Sequence, residues 1–144
     1  MYNKINIIKS NYSYWTELNT RWRDMDAIGH INHVIYLTYM ETSRVDLLKK
    51  IGFSGLIKEM DESTILGGLE IHYLMQASHP QTLEIGSRIS RIGGRSYDID
   101  SVIYKNKTED ILCAATFRMI AFNYKKNQTI KVPKIIVEAY NKNK

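Results

Sequence analysis

The chain has 144 residues, which is enough to bury a hydrophobic core, and 44% of them are hydrophobic, as is ordinary for a globular protein. Lys and Arg outnumber Asp and Glu by 20 to 15, and the resulting charge of +5 mildly favours an anionic partner. No basic run is interleaved with aromatic residues as in single-strand binders, so we expect no nucleic-acid partner. No linker-like or repeated segment interrupts the chain, which predicts one domain over residues 1–144.

The cysteine content and the hydropathy pattern indicate the cellular compartment in which the protein is expected. Cys113 is the one cysteine, which excludes an intrachain disulfide and a C-x-x-C metal site, and its apolar neighbours predict a buried, inert thiol. Residues 1–14 lack the continuous apolar stretch of a signal peptide. No segment approaches the roughly 18–20 apolar residues of a membrane span. We therefore expect a cytoplasmic protein without a membrane partner.

The first predicted elements are a strand and a long helix. Residues over Tyr14–Arg23 alternate with a noisy period of two, as in a strand, and acidic residues and a glycine then indicate a loop. Apolar residues recur at spacings of three and four over His33–Ile51, which predicts a helix with one largely apolar face. Asn32 is suited to cap its first turn, and Gly52 to supply the left-handed residue after its end.

The second half of the chain predicts strands joined mainly by short turns. Gly67 and Gly68 indicate a bulge, and Gly93-Gly94 a hairpin turn. Consecutive strands with short connections pair antiparallel, and a helix on one face of such a sheet gives an α+β architecture. The uncovered face and the sheet edges favour self-association. The predicted strands are Thr64–Ala77, Thr82–Ile92, Arg95–Lys105 and Ile111–Tyr124, followed by a short helix over Pro133–Tyr140.

The segment before the long helix carries the candidate chemistry, because two acids, two histidines and an asparagine fall within ten residues: Asp24, Asp26, His30, Asn32 and His33. The first-turn amides of a helix have no intrahelical partner and carry the positive end of the dipole, so they can polarise a carbonyl oxygen. A nearby carboxylate could attack that carbonyl carbon or deprotonate a water molecule.

Two other interpretations of the same segment remain open at this point. Asp-x-Asp before a helix is common in capping and turns, without any catalytic role. Asp24, Asp26, His30 and His33 could also ligate a divalent metal. Their spacing matches no standard site and lacks the helical His-x-x-x-His pair, so we predict neither a metal nor a cofactor.

The order and spacing of Asp24-x-Asp26-x-x-Gly29-His30-x-Asn32-x-x-x-Tyr36-Leu37-x-Tyr39-x-Glu41-x-x-Arg44 resemble the signature of the 4-hydroxybenzoyl-CoA thioesterase-like branch of the hotdog superfamily. The resemblance covers about residues 14–124 and is specific over residues 24–44. It implies a single hotdog thioesterase domain over residues 1–144, with a curved antiparallel sheet of about five strands wrapped around one long apolar helix.

The resemblance also implies roles for individual residues. Asp26 corresponds to the catalytic carboxylate, which acts as nucleophile or as general base in different members. The backbone amide of His33 corresponds to the group that polarises the thioester carbonyl, and the His33 side chain is a second candidate. His30 is a third catalytic candidate, although a histidine that only hydrogen-bonds to the loop is the preferred explanation. Tyr36 corresponds to a tyrosine near the acyl pocket.

Further residues are predicted to bind substrate or to maintain the loop. Gly29 and Asn32 belong to the Gly-His-x-Asn form of the motif, and we assign both to substrate binding. Arg88 and Arg91 are candidates for contacts to coenzyme A or phosphopantetheine phosphates, although a solvated strand face also explains them. The remaining motif positions, which look like a charge network between loop and helix, are Asp24, Glu41 and Arg44.

The predicted function is hydrolysis of an acyl-CoA or acyl-carrier-protein thioester to a free acid and a thiol. Two alternatives remain: a non-catalytic acyl-CoA-binding module on the same fold, and a dehydratase acting on hydroxyacyl thioesters. The resemblance further implies a homodimer, with a tetramer of two dimers as the expected assembly.

Overall fold

The computed structural model describes residues 7–144, which form one antiparallel sheet with a long helix on its face. Residues 1–6, part of the segment in which we expect no signal peptide, lie outside the described residues. Within residues 7–144, neither helix combines the length and the hydrophobicity needed to cross a bilayer. The strands are β1 (Tyr14–Asn19), β2 (Ser63–Tyr73), β3 (Thr82–Ile92), β4 (Ser96–Lys105), β5 (Ile111–Asn123) and β6 (Gln128–Thr129), and the helices are α1 (His33–Lys50) and α2 (Lys134–Lys142).

The sheet has the strand order β1-β3-β4-β5-β2, with β6 paired to β5, and every pairing is antiparallel. The curled sheet with one long helix is the predicted hotdog fold. The sequence suggested that β2 and β3 would pair as consecutive strands, and this is wrong, because they lie at different positions in the sheet. The segment 74–81 does not turn back along β2. It is held by the loop before α1, where the Ile31 amide donates to the Ala77 carbonyl at 2.8 Å.

The predicted ends of two strands also differ from those observed. β1 was expected to reach Arg23, but Trp22–Asp24 form a 3-10 turn, in which the Asp24 carboxylate accepts the Arg21 amide at 2.9 Å. β2 was expected to reach Ala77 and ends at Tyr73, because the next two amides both donate to the carbonyl of Leu112. In each case, hydrogen bonds to a side chain or to a distant segment of the same chain end the strand before its periodic sequence pattern ends.

Helix α1 confirms most of the sequence prediction. Asn32 caps it, since its side-chain oxygen accepts the Val34 amide at 3.0 Å. At the other end, the Phe53 amide donates to the Leu48 carbonyl, and Gly52 has a φ of +88°, as a glycine-terminated helix requires. The buried side chains of α1 recur at spacings of three and four: Tyr36, Tyr39, Met40, Ser43, Arg44, Leu47 and Leu48.

The main core lies between α1 and the sheet, and β2 bends at the glycine pair. The register of β2 against β5 shifts between Leu66 and Gly68, which confirms the predicted bulge. A second, smaller apolar cluster covers part of the opposite sheet face, where Tyr12 packs with Val102, Tyr104 and Ala114. The N-terminus of α1 lies at the end of β2, where the Tyr73 hydroxyl donates to the His33 carbonyl at 2.8 Å.

Candidate active site

The loop before α1 holds the carboxylate of Asp26 in a defined position. Its Oδ1 accepts the Ile28 amide at 2.9 Å and lies 3.5 Å from the His30 amide. The backbone closes around it, because the Asp26 amide donates to the His30 carbonyl and the Gly29 amide donates to the Asp26 carbonyl. Gly29 has a φ of +87°, a conformation that disfavours a side chain. Within residues 7–144, Oδ2 of the exposed Asp26 has no hydrogen-bond donor, which leaves it available to a substrate or a water molecule.

Asp24 is fully buried and links this loop to helix α1. It accepts the Tyr39 hydroxyl at 2.5 Å and the Arg21 side chain at 3.1 Å, in addition to the Arg21 amide. Burial opposes ionisation of Asp24, but these hydrogen bonds outweigh it and lower the pKa of the carboxyl. The expected network of Asp24 with Glu41 and Arg44 is not formed, since Arg44 pairs with Glu41 at 3.7 Å and the loop is held through Tyr39 instead.

Within residues 7–144, one amide in the first turn of α1 is left without an acceptor. The Val34 amide bonds to the Asn32 side chain, and the Ile35 amide to the Asn32 carbonyl. In the part of the chain that the structure describes, the amide of His33 has no acceptor. It also lies at the positive end of the helix dipole, which makes it suited to polarise a carbonyl oxygen.

Asp26 and His33 line one cavity of about 500 Å³, which opens between the loop, the start of α1 and the end of β2. His30 and Tyr36 also line it, so the structure brings together four of the predicted site residues. The imidazole of His30 has no hydrogen bond within residues 7–144, so the expected bond to the loop runs through its backbone alone. The other lining residues are Ile28, Ile31, Tyr73, Leu74, Met75 and Gln76.

Aromatic side chains form one wall of the cavity. The Tyr73 hydroxyl donates to the His33 carbonyl at 2.8 Å, and its ring lies edge-on to the His33 imidazole, with 6.1 Å between centroids. Tyr36 packs against Tyr73 at 5.8 Å and edge-on against Tyr39 at 6.1 Å. Burial, with smaller contributions from Cys113 and Tyr73, raises the pKa of Tyr36 to about 12, so its hydroxyl is protonated at neutral pH.

Four other predicted residues do not line this cavity. Asn32 uses its side chain as the helix cap, and Gly29 contributes a carbonyl that accepts the Ser78 hydroxyl at 2.7 Å. Arg88 lies against the opposite sheet face and pairs with Asp100 at 3.3 Å, and Arg91 bonds to Asp98 at 2.9 Å. Both arginines are engaged by carboxylates, and their role in phosphate binding stays a prediction.

The sequence did not assign the segment after β2 to the site. Tyr73 through Gln76 reach the cavity because β2 lies at the sheet edge beside the start of α1. The aromatic residue near the end of the strand was the one available signal. Within residues 7–144, no group of three or more His, Cys, Asp or Glu residues is arranged to hold a metal ion.

Comparison of this chain with known proteins identifies similar sequences and structures. The chain is 26% identical over 88 residues to YsmA of Bacillus subtilis, a match that spans 61% of this chain and 58% of YsmA. It is 23% identical over 122 residues to the acyl-CoA thioesterase YbgC of Haemophilus influenzae, covering 83% and 88% of the two chains. The crystal structure of PA5185 from Pseudomonas aeruginosa shares the fold, with a TM-score of 0.84, 21% identity and 93% coverage of both chains.

A family model described as the Thioesterase-like superfamily matches residues 20–140, which include the Asp26 loop, α1 and all of the sheet except β1. On this match, the chain is a member of the Thioesterase-like superfamily.

Proposed function

We propose that this protein hydrolyses the thioester bond of an acyl-CoA or acyl-carrier-protein substrate. The observation that carries the proposal is the cavity lined by both Asp26 and His33, which have, within residues 7–144, an unpaired carboxylate oxygen and an unpaired backbone amide. A thioester bound there would present its carbonyl oxygen to the amide and its carbonyl carbon to the carboxylate or to a water molecule beside it. The similarity to the acyl-CoA thioesterase YbgC supports the substrate class.

The reaction follows from these two groups. As a nucleophile, Asp26 would form an acyl anhydride and expel the thiolate, after which water would release the acid. As a general base, it would take a proton from the attacking water, and the tetrahedral oxyanion would collapse with loss of the thiolate. In both routes the amide of His33 stabilises the developing charge on oxygen.

The test is release of free thiol from acyl-CoAs that span chain length and aromatic groups. In Asp26→Asn the remaining side-chain oxygen can still accept the Ile28 amide, so the loop is preserved while the carboxylate is lost. We expect kcat to fall at least about 100-fold. Asp110→Asn, the same chemical change in the exposed turn between β4 and β5, is the matched control and should retain activity. An unchanged rate in Asp26→Asn would refute the assignment, and acyl-CoA binding without turnover by the wild-type protein would favour a binding module.

A second variant separates the two candidate roles of His33. His33→Ala removes the imidazole but keeps the backbone amide. If the amide is the functional group, this variant retains most of its activity, whereas a loss comparable to that of Asp26→Asn assigns the role to the side chain.

We further propose that the protein is a homodimer that pairs through strand β2. Within the described residues, β2 pairs on one side only, with β5, and its other edge is unpaired. This strand also exposes apolar side chains, including Ile65, Leu66 and Leu69, each at least 40% accessible. A long edge strand with exposed apolar residues favours pairing with a second copy. Since Tyr73 ends β2 and lines the cavity, such a dimer would bring the partner close to the site.

Light scattering after size exclusion tests the assembly. We expect twice the chain mass of 16.8 kDa, or four times that mass if two dimers associate. Leu69→Lys places a charge on the unpaired strand and should shift the mass toward that of one chain, while Asp110→Asn should not. A wild-type protein of single-chain mass at assay concentrations would contradict the dimer.

A further inference from the structure

The residues that line the Asp26 cavity differ in how far they are exposed to solvent. Asp26, His33 and Gln76 are exposed, so they lie at the opening. Apolar lining residues are exposed there too, including Ile28. Tyr36 and Ile31 are only 4% and 5% accessible, so they lie at the inner end. An acyl group whose carbonyl lies near Asp26 and His33 would therefore extend toward Tyr36.

The Tyr36 hydroxyl at this inner end has no protein partner within residues 7–144. Among the described side chains, the buried polar atoms that lack both a hydrogen bond and contact with open space are Nη1 of Arg44 and Nε of Arg88. The Tyr36 hydroxyl is not among them, so it keeps contact with open space, and the cavity that Tyr36 lines is this one. An almost fully buried residue that lines the place where the acyl group would bind therefore has a hydroxyl without a protein partner in the described chain.

The second tyrosine of the cavity cannot supply the same contact. The Tyr73 hydroxyl already donates to the His33 carbonyl at 2.8 Å. The Tyr39 hydroxyl, next to Tyr36 on the helix, donates to the buried carboxylate of Asp24. Of these three tyrosine hydroxyls, that of Tyr36 has no hydrogen bond within residues 7–144 and can therefore bond to a ligand.

We propose, on the basis of the thioesterase function above, that Tyr36 selects acyl groups that carry a hydroxyl or oxo oxygen over hydrocarbon acyl groups of the same skeleton. A hydrocarbon acyl group that fills the cavity would displace water from the Tyr36 hydroxyl and leave it unpaired, which is unfavourable for a buried polar group. An acyl group with an oxygen at that depth would accept its proton. Sites built to hydrogen-bond a substrate oxygen discriminate against analogues that lack it.

The test compares kcat/KM within matched pairs of CoA thioesters: butyryl with 3-hydroxybutyryl and with acetoacetyl, hexanoyl with 5-hydroxyhexanoyl, and benzoyl with 4-hydroxybenzoyl. The pairs place the oxygen at different depths, and we expect at least one of them to favour the oxygenated member by about tenfold, the size of one hydrogen bond. In Tyr36→Phe that ratio should fall to within about twofold of unity. The ratio is the readout, since a general loss of activity cancels in it.

Tyr124→Phe is the matched control, because the Tyr124 hydroxyl donates to the Thr64 carbonyl at 3.0 Å, outside this cavity, and this variant should keep the wild-type ratio. Ratios near unity in every wild-type pair overturn the inference, as does a ratio that persists in Tyr36→Phe, and both leave the thioesterase function standing. If Tyr36→Phe does not fold, wild-type ratios near unity still overturn the inference. No thiol release by the wild-type protein from any member of the panel overturns the proposed function, and the inference with it.

Discussion

Replacement of the buried carboxylate of Asp24 is expected to destabilise the protein strongly. Asp24 is fully buried and accepts three hydrogen bonds, from the Tyr39 hydroxyl and from the amide and side chain of Arg21. Hydrogen bonds to a charged group contribute about 1.5–3 kcal/mol each, and breaking a buried charge pair costs about 3–5 kcal/mol. The Arg21 side chain is 52% exposed and can be solvated after the change, which lowers the expected cost. For Asp24→Asn we therefore expect a loss of about 2–4 kcal/mol of unfolding free energy.

The matched control is Asp46→Asn, on the outer side of α1. Asp46 accepts Thr16 at 2.7 Å and pairs with Lys50 at 3.0 Å, but its side chain is 37% exposed. Exposed pairs contribute about 0–1 kcal/mol, so we expect a loss of about 1 kcal/mol or less. Urea unfolding followed by circular dichroism measures both, and about 3 kcal/mol corresponds to a fall in Tm on the order of 10 °C. An Asp24→Asn protein no less stable than Asp46→Asn would refute the reasoning.

The pH dependence provides a second check on Asp24. Its pKa in the folded protein is lowered, because the hydrogen bonds from Tyr39 and Arg21 outweigh the effect of burial. The stabilisation is therefore fully present above the unfolded-state pKa of about 3.9 and is lost as the pH falls through the lower folded-state pKa. In Asp24→Asn, this part of the acid destabilisation should be absent.

Two further perturbations test the local structure of the site. Asn32→Ala removes the side-chain acceptor of the Val34 amide and should cost about 1 kcal/mol of unfolding free energy, with lower activity if the start of α1 frays; a urea midpoint equal to wild type would contradict its role as the cap. Cys113 is fully buried, and burial raises the pKa of its thiol, so labelling by a thiol reagent at neutral pH should require unfolding; labelling of the native protein at the rate of a free thiol would contradict this burial.

The sequence by itself determined several local features of the fold. Asn32 as a helix cap, the left-handed Gly52 and the bulge near Gly67 each depend on a few adjacent residues, and the structure confirms all three. The spacing of apolar residues likewise predicted α1, because burial on one side of a helix repeats every three to four positions. The Asp26 motif, read as a resemblance, predicted the family.

Tertiary structure decided which distant segments meet. Strand β2 follows α1 in sequence and precedes β3, yet it pairs with β5, so its end and the segment 74–76 lie beside the start of α1 and complete the cavity. Strand alternation specifies the faces of a strand but not its neighbour, and that choice depends on packing across the whole sheet. For the same reason, the sequence could not show that the hydroxyls of Tyr39 and Tyr73 bond to Asp24 and His33, while that of Tyr36 has no partner within residues 7–144.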